Sequence, residues 1–222
     1  MIFGNGHPLL VLLKMTHRLS ALCAVSLVFV LVGVAGAQVA KPTRPEIRQG
    51  DLGDGQVAPD FTLQDIAGKS TVKLSGLKGK PVVLVFGSCT CPPFVRSLEA
   101  VEQLHARYKD RVHFYLIYVR EAHPTDGWAL PNNQFRIRSP QSIDERRRVA
   151  QAFAAKLKVS IPILVDTLDD QVEKTYACWP NRMYVLDAEG RIIDKGSAGP
   201  NGVSGSAKKA ASILDRLLAP SK

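Results

Sequence analysis

The chain has 222 residues, 45% hydrophobic and 22% charged; this is enough for one domain with a proper core plus a short extra segment, and ordinary enough to exclude disorder and coiled coil. Lysine and arginine number 29 against 20 acidic residues, a formal net charge of +9. The cations are scattered apart from Arg146, Arg147 and Arg148, which read as a solvated helix face; with no DNA- or RNA-binding motif, no nucleic-acid partner is expected, only a mild attraction to anionic surfaces or ligands.

The chain opens on a leader. Lys14 and Arg18 precede an uncharged, nearly all-apolar stretch over residues 19–40, and Ala35 and Ala37 form an A-x-A-like site. This is the layout of a secretory signal peptide cleaved after Ala37, with Met15 available as the true start. The stretch is also close to the roughly 20 residues of a spanning helix, so a retained membrane anchor through residues 19–40 is the competing reading. Either way residues 1–37 form a targeting segment, and the domain is expected outside the cytoplasm, periplasmic or extracellular. Cleavage leaves Cys89, Cys91 and Cys178. Three thiols cannot all pair internally, so at least one is free, reactive or joined to a second copy, which leaves a homodimer open.

Residues 38–55 hold Pro and Gly with few large apolar side chains and read as a linker; residues 56–222 read as the domain. "APDFTLQD" predicts a short strand, and "STVKLSGLKGK" alternates weakly before a turn. "PVVLVFG", residues 81–87, is a β-branched run of the kind buried on both faces of a sheet. Residues 92–109 start with proline and space apolar side chains as a helix does, from Phe94 to Leu104. A second buried strand follows at 111–119, then a long loop over 120–140, a length usually functional or mobile. Residues 142–157 predict a helix, with Ser142 and Glu145 in capping-box positions. "IPILVD" predicts a third strand, "LDDQVEKTYA" a short helix, "NRMYVLD" and "RIIDKG" a hairpin, and "SGSAKKAASILDRLLA" the closing helix. The order argues for an α/β domain, a central mixed β-sheet flanked by helices, in the outline of a thioredoxin-like fold.

The chemistry concentrates in "GSCTCPPF", residues 87–94. A helix N-terminus carries partial positive charge and orphan N–H groups, so a cysteine there is favoured as the nucleophilic thiolate. Cys91 holds that position and is expected to be ionised near neutrality; Cys89 is the weaker candidate. A thioredoxin has Cys-x-x-Cys, but Phe94 stands where the second cysteine would be. Cys89, Cys178 or an external thiol must therefore resolve Cys91. A passive alternative is a Cys89–Cys178 disulfide with Cys91 unreactive. A second cluster, "YVREAHPTDGW" at 118–128, leaves the carboxyl end of the next strand, the edge where ligands collect in such sheets. It puts Tyr118, Glu121 and His123 on the side of Cys91, with His123 able to exchange protons and Glu121 able to orient it. Trp128 and Trp179 read as cleft-lining or packing, and Pro180 as the cis-proline that faces the cysteine in this fold.

"GSCTCPPF" resembles the active-site stretch of the iodothyronine deiodinases, G-S-C-T-selenocysteine-P-P-F, and "EAHPTDGW" resembles their E-A-H-P-S-D-G-W. The likeness extends loosely from about residue 57 to the C-terminus, including "RMYVLDAEGRI" and "GPNGV". The resemblance implies a thioredoxin fold, an N-terminal anchor in many members, and reductive removal of iodine from an aromatic ring with thiol cosubstrates. It puts Cys91 in the selenocysteine position, Cys89 in that of the assisting cysteine, Ser88 and Thr90 as flanking hydroxyls, and Tyr118, Glu121 and His123 as the proton-handling group. Three departures stand out: sulfur replaces selenium at Cys91, Pro140 takes the place of a second histidine, and Ala198 that of the arginine that clamps the substrate carboxylate. The halogen-attacking centre looks kept and the thyronine grip lost.

The expected function is a thiol-dependent oxidoreductase. Cys91 attacks a small-molecule electrophile, a halogen, peroxide oxygen or disulfide sulfur; Cys89 or Cys178 resolves the adduct. A thioredoxin-type or low-molecular-weight thiol resets the enzyme. No bound cofactor or metal is expected. The alternatives are a peroxiredoxin-like peroxidase, whose Pro-x-x-x-Thr-x-x-Cys signature is absent, and an exported Cu(I)-delivery protein using Cys89, Cys91 and His123.

Overall fold

A computed structural model of the chain describes residues 43–220; the leader expected over 1–37 lies outside the described residues. Among those residues no helix is long and apolar enough to cross a membrane. The domain is built on seven strands, β1 (Thr62–Asp65), β2 (Thr71–Lys73), β3 (Val82–Gly87), β4 (His113–Tyr118), β5 (Ile163–Val165), β6 (Arg182–Leu186) and β7 (Ile192–Lys195). Their order across the sheet is β2-β1-β5-β4-β3-β6-β7. The centre is parallel, β3 with β4 and β4 with β5, and the flanking pairs are antiparallel. The sheet is therefore mixed, as the element order implied.

Every residue of β3 is buried, which explains its unbroken apolar run: both faces are covered. Val83 and Val85 point into one core, with helices α1 (Pro92–Tyr108), α2 (Ile143–Leu157) and α4 (Gly202–Leu217). Val82, Leu84 and Phe86 point into the other, with the short helix α3 (Gln171–Tyr176) and the chain around Phe61 and Leu74. Period-two alternation thus sorts the strand's side chains between two cores. Among the described residues three of the four α-helices share one face, a split that element order alone does not reveal.

Helix α2 starts where expected. Ser142 Oγ accepts from the Glu145 N–H at 3.2 Å, while Glu145 Oε2 accepts from the Gln141 N–H at 2.7 Å. The return contact lands one residue earlier than in a standard capping box. The three-arginine run on this helix is not the solvated face its charge suggested. Arg148 is exposed, but Arg146 is 3% exposed and pairs with Asp170 at 2.8 Å, donating also to the carbonyls of Asp166 and Thr167. A guanidinium is tolerated there because Nη1 and Nη2 are both paired, although Nε has no partner.

The segment read as a linker has no helix or strand over 43–55, yet it is tied to the sheet. Arg182 Nη2 donates to the Arg48 carbonyl and Gln49 Oε1, and Lys195 Nζ donates to the Gly50 and Leu52 carbonyls. Ile47 packs against the helical core. Low apolar content conceals this, because most of the attachment is by hydrogen bonds, three of them to backbone carbonyls.

Candidate active site

Strand β3 ends at Gly87, and helix α1 begins five residues later. Between them Ser88–Cys91 form a tight turn closed by the Cys91 N–H on the Ser88 carbonyl at 3.1 Å. Gly87 is required here by space rather than by backbone angle. A Cβ on it would lie 2.4 Å from the Phe94 ring, so the missing side chain lets Phe94 fold back under the turn. Cys91 is the N-cap of α1, and Pro92 and Pro93 are its first two residues.

The turn meets the carboxyl end of the neighbouring strand β4. Tyr118 Oη accepts the Cys89 N–H at 3.1 Å and donates to Glu121 Oε1 at 2.6 Å. Glu121 Oε2 accepts from Thr90 Oγ1 at 2.5 Å, from the Thr90 N–H at 3.2 Å and from Cys89 Sγ at 3.6 Å. Ser88 Oγ accepts the Ala122 N–H, and Thr90 Oγ1 the His123 N–H. Ser88, Cys89, Thr90, Tyr118, Glu121 and the His123 backbone therefore form one hydrogen-bonded unit. Parallel pairing explains it: Gly87 stands opposite Tyr118, so both strands release their loops at the same edge.

The imidazole of His123 follows a different arrangement from the one expected. Its Nδ1 meets the Trp128 carbonyl at 3.0 Å, and its ring lies 4.2 Å from the Trp128 ring. Trp128, not Glu121, orients it and fixes the proton on Nδ1. Burial lowers its pKa below 6.5, the Trp128 carbonyl raises it, and the Arg44 guanidinium, which stacks on the same tryptophan, lowers it further.

The expectation that the helix start ionises Cys91 fails in the resting structure. Cys91 is 1% exposed, and burial pushes its thiol above 9.0. The Phe94 amide, which makes no formal cap bond, draws it down, as do the Asn181 side chain and Arg96; Glu121 adds to the rise. The reason is local. Pro92 and Pro93 carry no N–H, so two of the donors a helix start usually offers are missing, and Val95 spends its own on the Cys91 carbonyl. Cys89 is pushed up further by burial, with the Glu121 charge second. Glu121 is itself raised by burial against the pull of its Thr90 and Tyr118 donors. Burial likewise raises Tyr118, reinforced by Glu121.

Cys178 is not brought to this site. It is 0% exposed and sits in the opposite core with Phe86, Tyr176 and Tyr184, its thiol directed to the Glu173 carbonyl at 3.7 Å. The sheet separates it from Cys89 and Cys91, which belong to the helical core. All three thiols are free, so the Cys89–Cys178 disulfide is not formed. The copper reading finds no assembled ligand set: among the described residues no group of three or more His, Cys, Asp or Glu could hold a metal ion. Ala198 and Pro140 are half-buried; the Ala198 N–H donates to Gln49 Oε1.

Two residues escaped the sequence reading. Asn133 Nδ2 donates to the Thr90 carbonyl at 2.7 Å, pinning the long loop onto the cysteine turn. Asn181 Nδ2 meets Cys91 Sγ at 3.2 Å. The Trp179–Pro180 peptide is cis, so the register in which Asn181 follows a cis-proline was the available signal.

A family model described as iodothyronine deiodinase matches residues 47–216. Thyroxine 5-deiodinase of Sparus aurata is 33% identical over 150 residues, 67% of this chain and 55% of that one. Type I iodothyronine deiodinase of Xenopus laevis is 37% identical over 149 residues, 67% of this chain and 58% of that one. The chain thus spans a little over half the length of these curated relatives. Among solved structures, peroxidoxin BcpB from Mycobacterium tuberculosis superposes with a TM-score of 0.55 at 21% identity, covering 77% of this chain and all of that one. The thioredoxin domain of a thiol-disulfide oxidoreductase from Bacteroides vulgatus gives 0.51 at 20% identity, covering 71% and 98%. Both establish the thioredoxin-like fold and nothing finer.

Proposed function

Because the chain belongs to the iodothyronine deiodinase family, we propose that it is a thiol-dependent reductive dehalogenase in which Cys91 takes the halogen and Cys89 resolves the adduct. The observation that carries this reading is the Glu121 carboxyl. It touches Cys89 Sγ at 3.6 Å while Thr90 and Tyr118 hold it in place, beside a nucleophile position at the head of α1.

The steps balance as follows. Cys91 thiolate attacks iodine on an aromatic ring; the carbon–iodine bond breaks, the ring carbon takes a proton, and Cys91 carries a sulfenyl iodide. Trp128 holds the His123 ring through Nδ1–H, so the protonated ring delivers that proton from Nε2 and is left neutral. The Cys89 thiol then attacks the Cys91 sulfur and expels iodide, its proton passing to Glu121. A carboxylate whose pKa is raised by burial suits that transfer, because the donor and acceptor affinities lie closer together. The Cys89–Cys91 disulfide spans a very small ring, which favours its reduction by two external thiols. With Ala198 and Pro140 in place of the carboxylate clamp and second histidine, the substrate is an iodinated aromatic recognised at its ring rather than at an amino-acid group.

The test incubates the purified full chain with thyroxine or a simpler iodophenol plus dithiothreitol and measures iodide release; a parallel arm supplies hydrogen peroxide and a thioredoxin system. Iodide release from either iodinated compound supports the reading. Peroxide turnover alone, or no turnover with Cys91 inert to iodoacetamide, overturns it.

Glu121→Gln separates the two half-reactions. Glutamine keeps the size but cannot take the Cys89 proton, and its amide presents a donor to groups that are themselves donors. Steady-state iodide release is expected to fall about 10²-fold, while one equivalent of dehalogenated product per chain still forms without reductant. Equal loss in both measurements would show that Glu121 acts before resolution.

A further inference from the structure

The nucleophile sits at a helix start depleted of donors, so something else must meet the charge on its sulfur. We propose that Asn181 is a catalytic residue of the thiol site, its side-chain amide being the hydrogen-bond donor that stabilises Cys91 Sγ as it gains charge. The inference rests on the thiol chemistry proposed above and deepens it.

Asn181 lies in the other half of the chain, just before β6, and is 1% exposed. Its Nδ2 is 3.2 Å from Cys91 Sγ. Which end of the amide faces the sulfur is not arbitrary. The Val203 N–H, in the first turn of α4, meets Asn181 Oδ1 at 3.2 Å; that N–H can only donate, so the oxygen must face it and the nitrogen must face the sulfur. The main chain is held as well, since the Asn181 carbonyl accepts the Gly199 N–H at 3.2 Å.

Gly202 completes the support. A Cβ there would lie 2.8 Å from the Asn181 carbonyl oxygen, 3.0 Å from Oδ1 and 2.4 Å from the Ser197 carbonyl oxygen. Only glycine lets the start of α4 close on Asn181. The amide is thus oriented from one side by α4 and spends its donor on the sulfur at the other.

The groups around Cys91 are few. From α1 come the Phe94 N–H and the Arg96 charge, from the segment after β4 the Glu121 carboxyl, and from the approach to β6 Asn181. Glu121 opposes a thiolate and the other three favour it. Asn181 is the one side chain in hydrogen-bond contact with Cys91 Sγ among the described residues.

The test uses the full chain and needs no substrate. The rate of Cys91 alkylation by iodoacetamide is followed from pH 7 to 11, with peptide mass spectrometry to locate the label. Asn181→Asp keeps the oxygen that accepts from Val203 but turns an acceptor toward the sulfur. Its alkylation midpoint should rise by more than one pH unit, and its rate at pH 8 should fall at least about tenfold. Asn181→Ala removes a bond to a charged group and should slow alkylation about 10–100-fold; Gly202→Ala should shift the midpoint the same way. An unchanged or lowered midpoint in a folded Asn181→Asp chain overturns the proposal. If that variant does not fold, the wild-type chain decides. Its Asn181 side-chain amide protons should shift with the midpoint of Cys91 alkylation, and a signal indifferent to that ionisation overturns the proposal. A chain that releases no iodide but shows these shifts would refute the dehalogenase reading while leaving Asn181 as the thiolate donor.

Discussion

Cys91→Ser is expected to lower iodide release by about 10³-fold or more, because a hydroxyl in the place of the thiol is a far weaker nucleophile toward halogen and has no low-lying ionised form. Serine is the smaller residue, and Asn181 can still donate to its oxygen, so the fold should be retained and the thermal midpoint nearly unmoved. A Cys91→Ser chain that keeps a tenth of the wild-type rate would transfer the nucleophile's role to Cys89.

The same sulfur sets an unusual pH profile. Burial puts the Cys91 pKa above 9.0 and the His123 pKa below 6.5. A step needing thiolate and protonated His123 together draws on a minor population throughout. Between the two pKa values the thiolate fraction rises tenfold per pH unit while the protonated imidazole falls tenfold, so their product is constant. The expected kcat/KM is a broad plateau that begins below 6.5 and ends above 9.0, falling on the acid side as thiolate is lost and on the alkaline side as His123 stays deprotonated. His123→Ala should be slower and should turn the plateau into a slope rising with pH. A plateau that survives the substitution would assign the proton to another group.

Phe94→Ala is the second large effect, and it acts on stability. The ring is 0% exposed, its centroid lies 6.0 Å from that of Phe153, and its edge fills the space left by the absent side chain of Gly87. Removing it loses the transfer free energy and leaves a cavity beneath the cysteine turn, a cost of about 3–5 kcal/mol. Against a typical total of about 5–15 kcal/mol this should be visible as a large drop in the urea midpoint at unchanged slope. A loss below about 1 kcal/mol would mean that α2 collapses into the gap. Phe94 also stands where a Cys-x-x-Cys would have its second thiol. The position of the second thiol is a core site that anchors α1 to α2, and Phe94→Cys would open a similar hole. Resolution has to come from the strand side of the turn, where Cys89 lies.

Much of the fold was legible because its signals are local. An unbroken β-branched run implies a strand buried twice, proline at a helix start is a stereochemical marker, and Ser142 with Glu145 marks a cap. That Cys89, Tyr118 and Glu121 emerge on one side of the sheet was legible for the same reason, since parallel strands release their loops at one edge; Ser88 and Thr90 were singled out only by the family resemblance. The prolines that strip Cys91 of amide donors were equally in view, but what burial does to a thiol cannot be read along the chain.

By itself the sequence determined which residues carry chemistry and at which edge of the sheet they emerge, since strand pattern and helix caps depend on near neighbours. The tertiary structure alone decided which of them meet: Asn181 reaches Cys91 from 90 positions away, Cys178 falls behind the sheet, Arg146 is buried against Asp170, and His123 answers to Trp128. Each of these depends on packing between distant segments and on how much water that packing excludes, and desolvation is a property of the folded volume rather than of the chain.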